Sequence, residues 1–322
     1  MQDNIKVSVL CLVYNHAKVL GKCLNGFVSQ KVNFKFEVLI HDDASTDESP
    51  QIIKEYESKY PDIIKPIYQK ENQYQQGIGI TETFQLPRAK GKYYAMCEGD
   101  DIWTDENKLQ KQFDFMEKNQ DVVMCVHKAC QINMENGKKR ILPSKPRESR
   151  MLTSDEVIIN GGGYYPTCSM FFRSEIKRLP NFGDIKTAVD FRLLMSAVIA
   201  GKVYFMKDVM AIKTYLLPAS WAARSRDDRE SYYNHMRITN EWLKKIDIYT
   251  KGKFTDAIQM KILKFEFTIK RDKGECSNLL STYYHPYFRT LSTKDKVVII
   301  LKAKAPKLVL LLKKILVTFD KR

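Results

Sequence analysis

Through the first 126 residues, short apolar runs alternate with helix-patterned segments, and that rhythm restricts the chain to a mostly parallel sheet covered by helices. Residues 5–13, 36–40, 63–68, 93–97 and 122–126 read as strands, with helices at 17–29, 49–58 and 106–118. Parallel neighbours cannot be joined by a tight turn, so each needs a crossover, and the intervening helices supply it. Beyond a polar, proline-containing stretch at 136–149, three glycines (Gly161, Gly162, Gly163) lead into Tyr164, Tyr165 and Pro166. A helix at 191–200 and strand character at 203–212 follow; then helices are predicted at 230–249, 255–271 and 294–319, the last broken at Pro306. The expected organisation is an α/β domain over 1–220, divided at 126/127, and a helical C-terminal region over 221–322 ending in a basic tail, 291–322.

Open α/β sheets bind ligands at the carboxyl ends of their strands, and three acidic groupings fall there. Asp42 and Asp43 follow the strand at 36–40, where adjacent carboxylates repel unless a donor or cation meets them. The following Thr46 and Asp47 suit helix capping. Glu98, Asp100 and Asp101 follow the strand at 93–97, around the flexible Gly99. Such a cluster suits Mg²⁺ or Mn²⁺, hard cations that take one or two carboxylates plus phosphate oxygens. A solvated acidic turn preceding a helix is the alternative. Asp190 precedes the helix at 191–200, as an N-cap or as a general base.

The formal charge is +15, from 53 Lys/Arg against 38 Asp/Glu, which favours anionic partners. Lys294 to Arg322 hold nine Lys/Arg against two Asp, and this basic, apolar composition suits an anionic membrane surface. A nucleic-acid binder would need a recognition module or an aromatic-basic platform, and neither is present, so no nucleic-acid partner is expected. Seven cysteines without a CxxC pair indicate reduced thiols, and His16 and His41 lack metal-site spacing. The first residues run directly into strand pattern without a secretory signal, and no apolar run reaches the ~18 residues that span a bilayer. A cytoplasmic location is expected, peripheral at the inner face of the membrane if the tail docks there.

Together the residues from Val7 to Asn15, from Asp42 to Asp47 and from Glu98 to Trp103 resemble the family 2 inverting glycosyltransferases, over roughly residues 5–215. The resemblance implies a GT-A fold: a Rossmann-like, mostly parallel sheet flanked by helices. It implies that Tyr14, Asn15, Asp42 and Asp43 line the base and ribose of a nucleotide-sugar donor, expected to be a UDP-sugar. Glu98, Asp100 and Asp101 stand as the DxD element, with Asp100 and Asp101 on Mn²⁺ or Mg²⁺, and Asp190 stands as the base acting on a glycan or lipid-linked acceptor. The chain departs from the family where many relatives carry an arginine and a histidine; here Lys213, Thr214 and Tyr215 follow the strand, leaving Lys213, Arg224 or Arg226 to supply the charge. A nucleotide- or glycan-binding protein without turnover is the competing expectation.

Overall fold

A computed structural model describes residues 4–176, 179–180, 189–217 and 220–305. These form two compact units, 4–180 with 189–227, and 228–305.

The first unit opens with three parallel strands: β1 (Val7–Val13), then helix α1 (Ala17–Val28), β2 (Phe36–Asp42), α2 (Ser49–Lys59) and β3 (Ile64–Tyr68). The predicted strands and helices of this stretch form with ends displaced by at most two residues, because β1 and β2 are almost wholly buried around the apolar runs 9–13 and 38–40. A π-helical turn at Thr81–Gln85 leads to β4 (Tyr93–Met96), the two-residue β5 (Ile102–Trp103), α3 (Lys108–Lys118) and β6 (Val122–Asn133). Next come β7 (Lys139–Leu142), β8 (Arg150–Leu152), α4 (Ser154–Asn160), β9 (Phe171–Arg173), α5 (Val189–Ala200), β10 (Lys202–Tyr215) and α6 (Trp221–Asp227).

The sheet runs β3-β2-β1-β4-β9-β6-β10-β5, with β7 on β6 and β8 on β10. Pairings among β1 to β4 and between β6 and β10 are parallel, and β9 is wedged antiparallel between β4 and β6. The last strand is one continuous 14-residue element that bulges against β6: from Met206 to Ala211 it advances five residues while β6 advances two, His127 to Ala129. Beyond the bulge, alternation sends Lys213 to one face and Ile212 and Thr214 to the other.

The main core lies between this sheet and its helices, around Val9, Cys11, Leu24, Phe27, Val38, Ile40, Tyr93 and Trp103. Helix α1 approaches β5 closely, since a Cβ on Gly26 would lie 2.7 Å from the Trp103 carbonyl. Phe27 meets the Trp103 ring edge-on at 4.8 Å. In the second unit, α7 (Arg229–Tyr249) and α8 (Thr255–Asp272) pair, followed by α9 (His285–Thr290) and α10 (Thr293–Lys304). The predicted helix at 294–319 is seen as α10; its remainder from 306 lies outside the described residues.

Candidate functional site

The acidic groupings converge because β2, β1 and β4 are adjacent and parallel, so their carboxyl ends share one edge of the sheet. The loops there are laced together by side chains. Asn15, in the left-handed region at φ 56°, accepts the Thr46 N–H on its Oδ1 at 2.8 Å and donates its own N–H to Ser45 Oγ at 2.9 Å. The His16 N–H donates to Ser49 Oγ at 3.0 Å, and both Ala17 and Ser49 donate backbone N–H groups to the Asp47 carboxylate at 2.9 Å. Asp47 thus serves the starts of α1 and α2 together, which the capping reading of the sequence had confined to α2. Burial works to raise its carboxyl, but the Ser49 and Ala17 donors prevail and hold it below the ordinary range.

The two neighbouring aspartates divide. Asp43 is occupied: its carboxylate accepts the N–H of Gln73 at 2.8 Å and of Tyr74 at 3.1 Å, fastening the loop after β3. Asp42 is buried, and its Oδ1 has no hydrogen-bond partner among the described residues. Burial raises its carboxyl above the usual range, against the opposing hydrogen bonds from Ser45. A buried, unpartnered oxygen at a strand end is set to receive a donor group from a ligand. Tyr14 is half-buried at the end of β1.

At the end of β4 the glycine is obligatory: a Cβ on Gly99 would lie 2.7 Å from Val13 Cγ2 and 3.0 Å from His16 Nδ1. The Gly99 N–H donates to Leu12 O at 2.8 Å, so the acidic turn rides directly on β1. Asp101 is buried; its Oδ1 accepts the Thr214 N–H at 2.9 Å, and its Oδ2 has no hydrogen-bond partner among the described residues and forms an ion pair at 3.8 Å with Lys213 Nζ. Asp100 and Glu98 are half-buried. Burial pushes Glu98 well above the usual carboxylate range, with Asp100, Asp101 and Asp190 adding repulsion that Lys213 partly offsets. Burial opposes the Lys213 charge, but Asp101 and Glu98 more than restore it and raise its pKa. Asp190 therefore lies within the field of the acidic turn, though both its oxygens are engaged, by the N–H of Gly163 at 2.9 Å and of Phe191 at 2.8 Å.

Of the three candidate substitutes for the missing arginine and histidine, Lys213 reaches the acidic turn. The Arg224 guanidinium lies 5.9 Å from the Tyr74 ring, beside the loop that Asp43 holds. Arg226 pairs instead with Glu135 at 2.5 Å and Asp227 at 2.8 Å. The Tyr164 hydroxyl donates to Lys145 O at 2.9 Å, and its ring meets Tyr165 edge-on. Sequence reasoning missed Thr214, whose contribution is a backbone N–H without residue signature.

No ready-made cluster of three His, Cys, Asp or Glu ligands for a metal occurs among the described residues. The carboxylates nonetheless suit a cation, since they repel one another and Asp101 Oδ2 has only the ion pair to Lys213 and no hydrogen bond among the described residues; a donor's phosphate oxygens would have to complete the shell. A groove of about 740 Å³ between α1 and the sheet, lined by Val19, Ile102, Ile132, Ile212 and Thr214, opens on the face of β10 away from Lys213 and is separate from this constellation.

Comparison with known proteins gives the arrangement a lineage. A protein from Mycobacterium tuberculosis described only as uncharacterized is 31% identical over 229 residues, 70% of this chain and 63% of its own length. A poly(ribitol-phosphate) beta-glucosyltransferase of Bacillus spizizenii is 30% identical over 117 residues, 36% of this chain and 18% of that one. The chain thus spans less than two thirds of these relatives. The crystal structure of S. aureus TarS 1-349 in complex with UDP-GlcNAc superposes with TM-score 0.62 at 19% identity, over 93% of this chain and 82% of that one. A mannosyltransferase from Pyrobaculum calidifontis, in complex with GDP-Man and Mn²⁺, does so with TM-score 0.53 at 14% identity, over 93% and 86%. The fold is GT-A. Residues 8–179 match the glycosyl transferase family 2 model, and that stretch holds β2, β4, all but the first residue of β1, and the carboxylates from Asp42 to Asp47 and from Glu98 to Asp101; the chain belongs to glycosyl transferase family 2.

Proposed function

We propose that this protein transfers a sugar from a nucleotide-diphosphate donor, a UDP-sugar, to an acceptor hydroxyl during surface polysaccharide synthesis. The observation that carries the reading is the meeting of Asp42, the Glu98–Asp101 turn, Lys213 and the field of Asp190 along one edge of the sheet. Asp42, with its free oxygen, takes a ribose or base donor group, and Tyr14 flanks the base. Asn15 and Asp43 act through the loops they hold. Asp100 is the principal metal ligand, and Asp101, tied to Thr214, anchors the turn and offers its remaining oxygen. Mn²⁺ or Mg²⁺ bound there supplies neutralisation of the charge that develops on the departing diphosphate. Lys213 adds a fixed positive charge on the same side.

Asp190 receives the acceptor proton, exchanging its bond to Gly163 for one to the hydroxyl. With one base and no enzyme nucleophile, attack from the opposite face inverts the anomeric carbon. The acceptor is a glycan or a lipid-linked glycan; the named Bacillus relative glucosylates another surface polymer, poly(ribitol-phosphate). Seven unpaired cysteines support a cytoplasmic setting, and the inner membrane face is where a lipid-linked acceptor would be met.

The test is donor turnover with Mn²⁺ or Mg²⁺ across Asp100→Ala, Asp101→Ala and Asp190→Ala. Transfer should fall by about two orders of magnitude or more for Asp100 and Asp190. Undiminished transfer in all three would sink the assignment. A second reading, nucleotide or glycan binding without turnover, draws on the engagement of both Asp190 oxygens by backbone N–H groups. Tight nucleotide binding without product across broad donor and acceptor panels would favour it.

A further inference from the structure

Helix α10 buries only Ile299 to any great extent, against Leu263, Phe267, Leu279 and Tyr284 of the small core in the second unit. Four large apolar side chains beside it are exposed: Val297 48%, Val298 41%, Ile300 37% and Leu301 38%. At about 100° per residue, these four sweep an arc of about 160° whose centre lies opposite Ile299. The helix is therefore anchored by one side chain and presents its broader apolar face outward. Lys294 and Lys304 fall within that arc and Lys302 and Lys296 border its two edges, Lys296 donating to Arg289 O at 2.7 Å. The one acidic residue of the helix, Asp295, accepts the Ser292 hydroxyl at 2.6 Å.

Water is a poor solvent for such a face, and contiguous exposed apolar surface marks an interaction site. The bordering charge selects the partner. Residues 228–322 hold 21 Lys/Arg against 10 Asp/Glu, a net +11 of the chain's +15. A helix of 12 residues is about 18 Å long, too short to cross a bilayer, and no described helix is long and apolar enough to do so. Apolar side chains bordered by lysines match a bilayer interface, where acyl chains take the former and anionic headgroups the latter.

We propose that α10 lies in the interface of an anionic bilayer, with Val297, Val298, Ile300 and Leu301 among the acyl chains and Lys294, Lys302 and Lys304 at the headgroups. This deepens the membrane element of the function proposed above and stands apart from its transfer chemistry. The full chain is floated with vesicles of equal phosphatidylglycerol and phosphatidylcholine, and with phosphatidylcholine alone, without nucleotide. Binding should favour the anionic vesicles, fall at least about tenfold in the double variant Val298→Ser with Leu301→Ser, and fall about fivefold for each lysine changed to glutamine. These positions are exposed, so the melting temperature should hold.

If the serine variant loses fold, amide exchange of α10 in the unaltered chain, with and without anionic vesicles, replaces it; protection gained only on those vesicles supports insertion. Unchanged flotation of a folded serine variant overturns the proposal, leaving adhesion by charge alone. So does an oligomer in light scattering that the serine changes dissolve, since the face would then join copies of this chain. Transfer to a water-soluble acceptor is assayed separately, so loss of flotation and loss of chemistry are distinguishable.

Discussion

Asp42 shows what the donor-binding role proposed for it would cost the fold. Its buried carboxylate lacks a hydrogen-bond partner on Oδ1 among the described residues, and its raised pKa means that the ionised form is disfavoured in the folded chain. The sign follows: the protonated group carries no penalty below pH about 3.8, and stability is lost as pH rises through the higher folded value. Asp42→Asn should therefore gain about 1 kcal/mol near neutral pH and nothing in acid, measured by urea unfolding across pH. The same variant should weaken UDP binding by about tenfold or more in titration calorimetry. The positions of Asp42, Glu98, Asp100 and Asp101 were legible because strand ends in a parallel sheet are readable from apolar runs. Their division of labour was not, because Asp42 and Asp43 differ only in which backbone N–H groups the fold brings to them.

Among elements, the loops after β1 and β2 behave as one piece. Asp47→Ala removes an acceptor from both Ala17 and Ser49 and should cost about 1–2 kcal/mol at neutral pH by chemical unfolding. The Asp47 carboxyl is held below its ordinary range, so the stability it gives is present above pH about 3.8 and fades as pH falls through the lower folded value; the gap between variant and parent should close in acid. Gly26→Ala would press a methyl against the Trp103 carbonyl, with an expected loss of about 1–3 kcal/mol and a weaker response to metal, because β5 continues directly from Asp101. The strand-helix rhythm disclosed β1 to β4 and α1 to α3. It did not disclose β9, three residues of local sequence that become a strand only through long-range pairing with β4 and β6. Helix α4 starts on a local signal of another kind, the capping box of Thr153 with Glu156.

For the whole molecule, donor and metal should act as a single ligand, because the described carboxylates do not form a complete metal shell by themselves. UDP with Mn²⁺ at about a hundred times the dissociation constant should stabilise the fold by about 2.7 kcal/mol, read as a rise in melting temperature. Either component alone should give much less, and Asp100→Ala should remove the synergy. Equal shifts from metal alone would contradict this. Charge asymmetry between the N-terminal part and residues 228–322 was countable from sequence, whereas the outward apolar face of α10 required knowing that Ile299 points inward. The bulge in β10 has an evolutionary consequence. It sets the parity of everything after it, so a descendant that lost one residue between Met206 and Ala211 while keeping the shape of the bulge would slip the register beyond it by one, turning Lys213 toward the α1 groove and a neutral side chain toward the acidic turn. Length changes there should be tolerated in pairs, and single-residue indels should mark lineages whose donor chemistry has been rebuilt or abandoned.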